Sequence, residues 1–208
     1  MSFSTFFSEQ ARQPSGLFGR IVMPVVFDRG NAFLNGFVNA LMAVQPNDRV
    51  LEIGCGTGKL INIMAKKINK GIISGIDFSS TMVTIAKRRN IKNIASGTVS
   101  IIQANFDDIS YTKGSFSKVC SVNTLYFWKN PENTVKKVFY LLDSGGEFFV
   151  AFEDIKQLEK RKLSGDVFQL YTDSDVKSLL TTAGFSNGVF IESRKKGNLL
   201  FHCAVATK

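Results

Sequence analysis

The sequence predicts an α/β fold. It reads as a seven-stranded, mostly parallel sheet with a C-terminal antiparallel hairpin, helices on both faces and an N-terminal helical cap. Three observations predict it. Short apolar runs alternate with helical patterns through the middle of the chain, as βαβ units of a parallel sheet require. A glycine-rich turn joins the first apolar run to the helix after it. The last two apolar runs are joined by a short turn, which reads as a hairpin.

Residues 1–48 precede the first strand and hold 7 of the 19 Phe. They are expected to form helices over one end of the sheet. Their longest apolar run, Ile21–Phe27, is interrupted by Pro24. Five strands should follow: Arg49–Ile53, Gly71–Asp77, Val99–Ala104, Lys118–Val122 and Gly146–Phe152. Between them, helical spacing marks Lys59–Ile68, Ser79–Asn90 and Pro131–Leu142. Pro131 suits a first helical turn, where its missing N–H has no partner to lose. Thr172–Ala183 is a helix opened by Thr-Asp-Ser-Asp and closed by Gly184. Val189–Arg194 and Leu199–Thr207 form the hairpin, turned by Lys-Lys-Gly-Asn. The organisation is a cap or lid segment, 1–48, on a main domain, 49–208, in one compact unit.

Composition narrows the function classes. A chain of 208 residues is of single-domain length. At 44% hydrophobic and 21% charged it is not a disordered chain. Three Cys without a C-x-x-C pair exclude a disulfide scaffold and a common zinc ribbon, and no feature demands a metal. No apolar run approaches the roughly 18 residues of a spanning helix. The start, MSFSTFFSEQ, lacks the basic lead and continuous apolar core of a secretory signal. The chain reads as soluble and cytoplasmic.

The net charge is +9, from 26 Lys and Arg against 17 Asp and Glu. The basic residues cluster at Lys66/Lys67/Lys70, Lys87/Arg88/Arg89/Lys92, Lys156/Lys160/Arg161/Lys162 and Arg194/Lys195/Lys196. Aromatic residues are not interleaved with them as a nucleic-acid stacking platform needs. They read as solvated faces. Lys156–Lys162 is the best placed for an anionic partner, because it borders the expected site mouth.

The sharpest feature is Val50-Leu51-Glu52-Ile53-Gly54-Cys55-Gly56-Thr57-Gly58-Lys59-Leu60. Without Cβ atoms the backbone at these glycines can turn tightly and touch a ligand. The helix that follows offers unpaired N–H groups to an anionic group. No Gly-Lys-Ser/Thr closes a phosphate-binding loop, and the third Gly comes one residue early for the nicotinamide fingerprint. Asp77 ends the second strand 23 residues after Gly54. An acid there is placed to accept hydrogen bonds from ribose hydroxyls. Its competing role is a helix N-cap, since Ser79 and Ser80 follow.

These residues resemble a family. VLEIGCGTG, GIDFSS, QANFDD, GSFSKVCSVNTLYF and LLDSGGEFFVAF, in this order over residues 50–152, are similar to the class I, Rossmann-like S-adenosylmethionine-dependent methyltransferases of small-molecule type. The tail YTDSDVKSLLTTAGF before a terminal hairpin extends the likeness. The resemblance implies S-adenosyl-L-methionine as cofactor and S-adenosyl-L-homocysteine as product. It implies that Glu52, Gly54, Cys55, Gly56 and Gly58 surround the amino-acid part of the cofactor, with Cys55 serving as a small residue. Asp77 would hold the ribose and Phe78 would pack on the adenine. Asn105 and Phe106 would lie near the adenine amino group, and Asn123 beside the sulfonium. Asn105 replaces the family's usual Asp but keeps an acceptor oxygen.

Tyr126, Phe127 and Trp128 follow the fourth strand, where ligands bind in open α/β sheets, and could wall an acceptor pocket. Tyr126 and Glu153 are the candidate catalytic groups. His202, the only histidine, is expected to be a core or edge residue. The expected function is methyl transfer to a small hydrophobic or aromatic acceptor. The alternatives are an RNA or protein methyltransferase using the basic surface, a cofactor-binding protein without turnover, and an enzyme in peripheral contact with a membrane. The acceptor atom and the oligomeric state are open.

Overall fold

The computed structural model describes residues 3–161, 163–186 and 188–208. Three helices come first: α1 (Phe3–Arg12), α2 (Gly16–Gly30) and α3 (Ala32–Met42). The alternating region is β1 (Arg49–Ile53), α4 (Lys59–Met64), β2 (Ile72–Asp77), α5 (Ser80–Arg89), α6 (Ile91–Ala95), β3 (Val99–Gln103), β4 (Phe116–Val122), α7 (Pro131–Leu141) and β5 (Leu142–Glu153). The chain closes with α8 (Ile155–Glu159), α9 (Asp173–Thr182), β6 (Val189–Lys196) and β7 (Leu199–Thr207).

The seven strands form one sheet in the order β3-β2-β1-β4-β5-β7-β6. β1 to β5 pair in parallel, and β7 runs antiparallel to both β5 and β6. The expected mixed sheet with a terminal hairpin is therefore present. Strand order reverses between β1 and β4, so a crevice opens beyond their carboxyl ends.

Alternating side chains split the core between the two faces. Val50, Cys120, Phe149 and Val205 pack with α3, α4 and α5; Leu51, Val119, Phe148 and Ala204 pack with α7 and α9. A sheet covered on both faces needs apolar residues at both phases of the alternation, which β5 supplies as Phe148-Phe149-Val150-Ala151-Phe152.

Local signals explain the helix starts. The Ser79 hydroxyl accepts the Met82 N–H at 3.3 Å and caps α5. Thr172 and Asp175 form a reciprocal capping box at α9. Some boundaries differ from expectation. α4 stops at Met64, not Ile68, and β5 begins at Leu142, where its pairing with β4 is irregular. α2 continues through Pro24. The short helices α6 and α8 carried too few turns to show a period. The first 48 residues do not all sit over one end of the sheet. α3 is part of the core, with Leu34, Phe37, Val38 and Met42 buried on a sheet face. α1 and α2 lie over the crevice, to whose lining α3 adds Asn35.

Candidate functional site

Beyond the carboxyl ends of β1, β2 and β4 lies a cavity of about 450 Å³. That is within the usual range for a small-molecule site. One half is built by the loop after β1. Gly54, Gly56 and Gly58 all have positive φ, at 71°, 50° and 68°. Each is Gly for a different reason. A Cβ at Gly54 would stand 2.4 Å from Thr124 Cγ2, and one at Gly58 would stand 2.9 Å from Ala86 Cβ on α5. A Cβ at Gly56 would meet only Phe27, at 4.0 Å, on the cavity side. Gly58 thus secures loop-to-helix packing and does not line the cavity. Cys55 is buried against Gly75, a small side chain where space is short.

Asp77 links the loop to β2. Its Oδ2 accepts the Gly56 N–H at 2.8 Å, and its Oδ1 accepts the Ser79 N–H at 2.9 Å. A carboxylate oxygen has two lone pairs, so each keeps capacity toward the cavity that Asp77 lines. Burial pushes the carboxyl up to about 6, outweighing the two N–H bonds that lower it. The true helix N-cap is Ser79. Asp77 orders the turn before it, so the competing cap reading describes a neighbour.

Glu52 lies at the cavity floor. Its Oε2 is buried without a partner. Burial first, and the Asp77 charge second, push its carboxyl well above the ordinary range. Phe78 and Phe106 line the same half. Lys137 holds the Phe106 loop through backbone oxygens and stands 4.7 Å over the Phe106 ring. Asn105 caps the turn it opens: its Oδ1 accepts the Asp107 N–H at 3.4 Å and its Nδ2 reaches Asp108 Oδ2 at 3.1 Å.

Asn123 stands at the end of β4 with φ 56°, one of two non-Gly positions of positive φ among the described residues. Its Nδ2 donates to Asn31 Oδ1 at 2.8 Å, and its Oδ1 accepts the Tyr126 hydroxyl at 3.3 Å. Tyr126 in turn accepts the Glu153 N–H at 2.6 Å. A polar chain therefore crosses the cavity from β5 to the junction of α2 and α3.

The second half is apolar. Tyr126, Phe127 and Trp128 face Leu158, Leu163 and Phe168 across it. Phe127 and Phe168 meet edge to face, with centroids 4.8 Å apart. Phe7 and Ala11 of α1 and Met23 and Phe27 of α2 close the top. These helices are tied down at several points. Ser79 Oγ donates to Pro14 O at 2.8 Å, and the Ser164 N–H donates to Ser8 Oγ at 3.1 Å. Asp28 accepts from Thr57 at 2.6 Å and from Arg89 at 2.5 Å. Burial pushes the Asp28 carboxyl up, but these hydrogen bonds and the Arg89 charge outweigh it and hold it below its ordinary value.

The two candidate catalytic groups lie at the cavity wall, and both are engaged. Glu153 takes both Arg161 nitrogens and the Gln157 amide. Burial pushes the Tyr126 hydroxyl above its ordinary range. His202 lies elsewhere, on β7, where Nδ1 meets Ser193 Oγ at 2.8 Å and the ring tilts against Phe152. Of the Lys156–Lys162 run, Arg161 reaches the cavity, and Lys162 lies outside the described residues. Sequence reasoning missed Asn31 and Phe168, placed Phe27 only within the cap or lid segment, and placed Arg161 only within a basic run bordering the site mouth. A single aromatic or amide in an aperiodic segment leaves no signal.

The residues present fit S-adenosylmethionine. The Gly56 position is an open cradle, Asp77 keeps acceptor capacity, and the orphaned Glu52 oxygen suits a cationic amino group. Fold and loop together define an adenosyl-cofactor-binding α/β protein. The comparisons with known proteins agree. Residues 50–146 match the family described as a methyltransferase domain. YrhH of Bacillus subtilis (strain 168), itself named only as a methyltransferase, is 31% identical over 136 residues, or 65% of this chain and 72% of YrhH. A S-adenosylmethionine-dependent methyltransferase structure from Thermotoga maritima superposes with a TM-score of 0.70 at 21% identity, covering 92% of this chain and 97% of that one. Phosphoethanolamine N-methyltransferase 2 of Haemonchus contortus, in complex with S-adenosyl-L-methionine, superposes with a TM-score of 0.69 at 14% identity, covering 85% of this chain and 52% of that one. The chain belongs to the class I S-adenosylmethionine-dependent methyltransferase family.

Proposed function

We propose that this methyltransferase acts on a small, hydrophobic or aromatic acceptor. The observation that carries the reading is one cavity with two unlike halves. The glycine loop with Asp77 forms the polar half, and Tyr126, Phe127, Trp128 and Phe168 form the apolar half. Asn123 stands at the junction.

Bound S-adenosylmethionine supplies an electrophilic methyl group on sulfur. The chain's own task is then to bind, orient and dry the site. Glu52 and Asp77 anchor the polar half. The aromatic wall fixes an apolar acceptor, and holding two reactants in line can supply several kcal/mol of rate enhancement. α1 and α2 cover the cavity and exclude water. Asn123 orients the Tyr126 hydroxyl, and Arg161 pairs with the Glu153 carboxylate, so both candidate groups already have polar partners in the wall. Positioning of an acceptor that is already nucleophilic therefore carries the reaction.

The test is transfer of labelled methyl from S-adenosylmethionine to a panel of apolar and aromatic acids, phenols, thiols and amines, with RNA and protein as parallel acceptors. The expected result is transfer to an apolar small molecule, weakened in KM by Phe168→Ala. Transfer to RNA or protein alone would overturn the reading. Binding of the cofactor without transfer to any acceptor class would favour a non-catalytic role.

A further inference from the structure

We infer that the outer face of α2 docks the protein on an anionic lipid surface. This goes beyond the methyl-transfer reading and does not depend on it.

Among the described residues, twelve large apolar side chains are exposed, and five of them belong to α2. Leu17, Ile21 and Val25 recur every four residues and form one stripe, 76%, 66% and 48% exposed. Phe3 of α1 is exposed as well. The opposite side of the same helix holds Met23 and Phe27 in the cavity roof. A water-facing stripe of this kind is unusual on a helix that already has an apolar inner side.

Charge decides what covers it. Arg20 and Arg29 are exposed on α2 itself. α5 lies alongside, tied to the two ends of α2 by the Ser79–Pro14 hydrogen bond and the Arg89–Asp28 ion pair. That brings the end of α5, where Lys87 and Arg88 are exposed, close to the C-terminal end of α2. Residues 3–47 hold two acids, Glu9 and Asp28, and Arg89 neutralises Asp28. A second copy of the chain, docked stripe to stripe, would bring these cations together. An anionic bilayer surface satisfies both the stripe and its rim, as it does for basic amphipathic helices that lie in the interface. Docked this way, the helix that roofs the cavity also faces the membrane.

The test is co-sedimentation of the full chain with vesicles of phosphatidylcholine, with and without phosphatidylglycerol. The chain should pellet with the phosphatidylglycerol vesicles and stay largely in solution with the neutral ones. Raising salt from about 0.1 M to about 1 M, which shortens the Debye length from about 10 to about 3 Å, should release much of it. Ile21→Glu should weaken partition by about tenfold or more, because burying one such side chain accounts for that much. Arg20→Glu with Arg29→Glu should abolish the preference for phosphatidylglycerol. Calorimetry with S-adenosylhomocysteine should be unchanged in both variants, which separates loss of docking from loss of the cofactor site. The inference is overturned if the wild-type chain pellets with neither vesicle, or if Ile21→Glu pellets like wild type. It is overturned equally if sedimentation velocity shows a dimer that Ile21→Glu splits.

Discussion

The backbone N–H of Gly56 donates to Oδ2 of Asp77 at 2.8 Å, so the glycine loop and the end of β2 are fixed to each other across the cavity floor. The acid is thus a structural tie and a ligand-facing acceptor at once, and its variants should separate the two roles.

Asp77→Ala should weaken S-adenosylhomocysteine binding by at least ~10-fold. Two ribose hydroxyls donating to a charged carboxylate contribute roughly 1.5–3 kcal/mol each, and one such bond already exceeds a decade. His202→Ala, on β7 away from the cavity, should leave affinity within about twofold. Paired calorimetry reads both. Wild-type affinity in Asp77→Ala would reduce Asp77 to a turn-ordering residue.

The same group sets a pH dependence. Its carboxyl is pushed up to about 6 by burial. Ribose hydroxyls donate best to the ionised form, so affinity should be flat above about pH 7 and fall by up to about tenfold per unit below about pH 6. The stability sign runs the other way in the ligand-free protein. Between about pH 6 and pH 4 the folded state holds a proton that the unfolded state has released, so acidification through this window adds stability from this group. The full effect is on the order of 3 kcal/mol. Affinity independent of pH across this window would mean that Asp77 does not meet the ligand.

Two of the loop glycines, Gly56 and Gly58, should fail differently. Gly56→Val points a branched side chain into the cavity and should abolish cofactor binding, with some loss of stability from its positive φ. Gly58→Val has no room against Ala86 and Asn90 and should lower the melting temperature more, since both strain and overpacking act. Thermal melting and calorimetry on the two variants check the order. Equal melting temperatures would contradict the packing role of Gly58.

Tyr126→Phe removes the partner of the buried Glu153 N–H and should cost about 1–3 kcal/mol of stability. It also frees Asn123 Oδ1. A melting temperature equal to wild type would show that the polar chain across the cavity contributes nothing.

The sheet was legible because its strands announce themselves. β1 and β7 have the bounds expected from their apolar runs, and Asp77 closes β2 as its spacing from Gly54 required. The loop was legible because missing Cβ atoms leave a sequence mark, although only the structure shows that Gly58 packs on α5 and Gly56 faces the ligand side. The acceptor half was legible from one side. Tyr126, Phe127 and Trp128 follow a strand, whereas Leu163 and Phe168 sit in a connection with no period. α2 hid its role because it is apolar on both its inner and outer faces, so no amphipathic pattern marked Met23 and Phe27 as cavity residues. Nor could sequence show that Arg161, eight residues on, occupies Glu153. That pairing depends on how α8 turns the chain.

Isothermal calorimetry of S-adenosylhomocysteine against the wild-type chain and Gly56→Val tests the cofactor site most directly. The prediction is micromolar binding to the wild type, about −8 kcal/mol, and no detectable heat with Gly56→Val while that variant still melts cooperatively. No heat from the wild type at millimolar ligand, or equal binding by both proteins, would contradict the assignment of this cavity as the cofactor site.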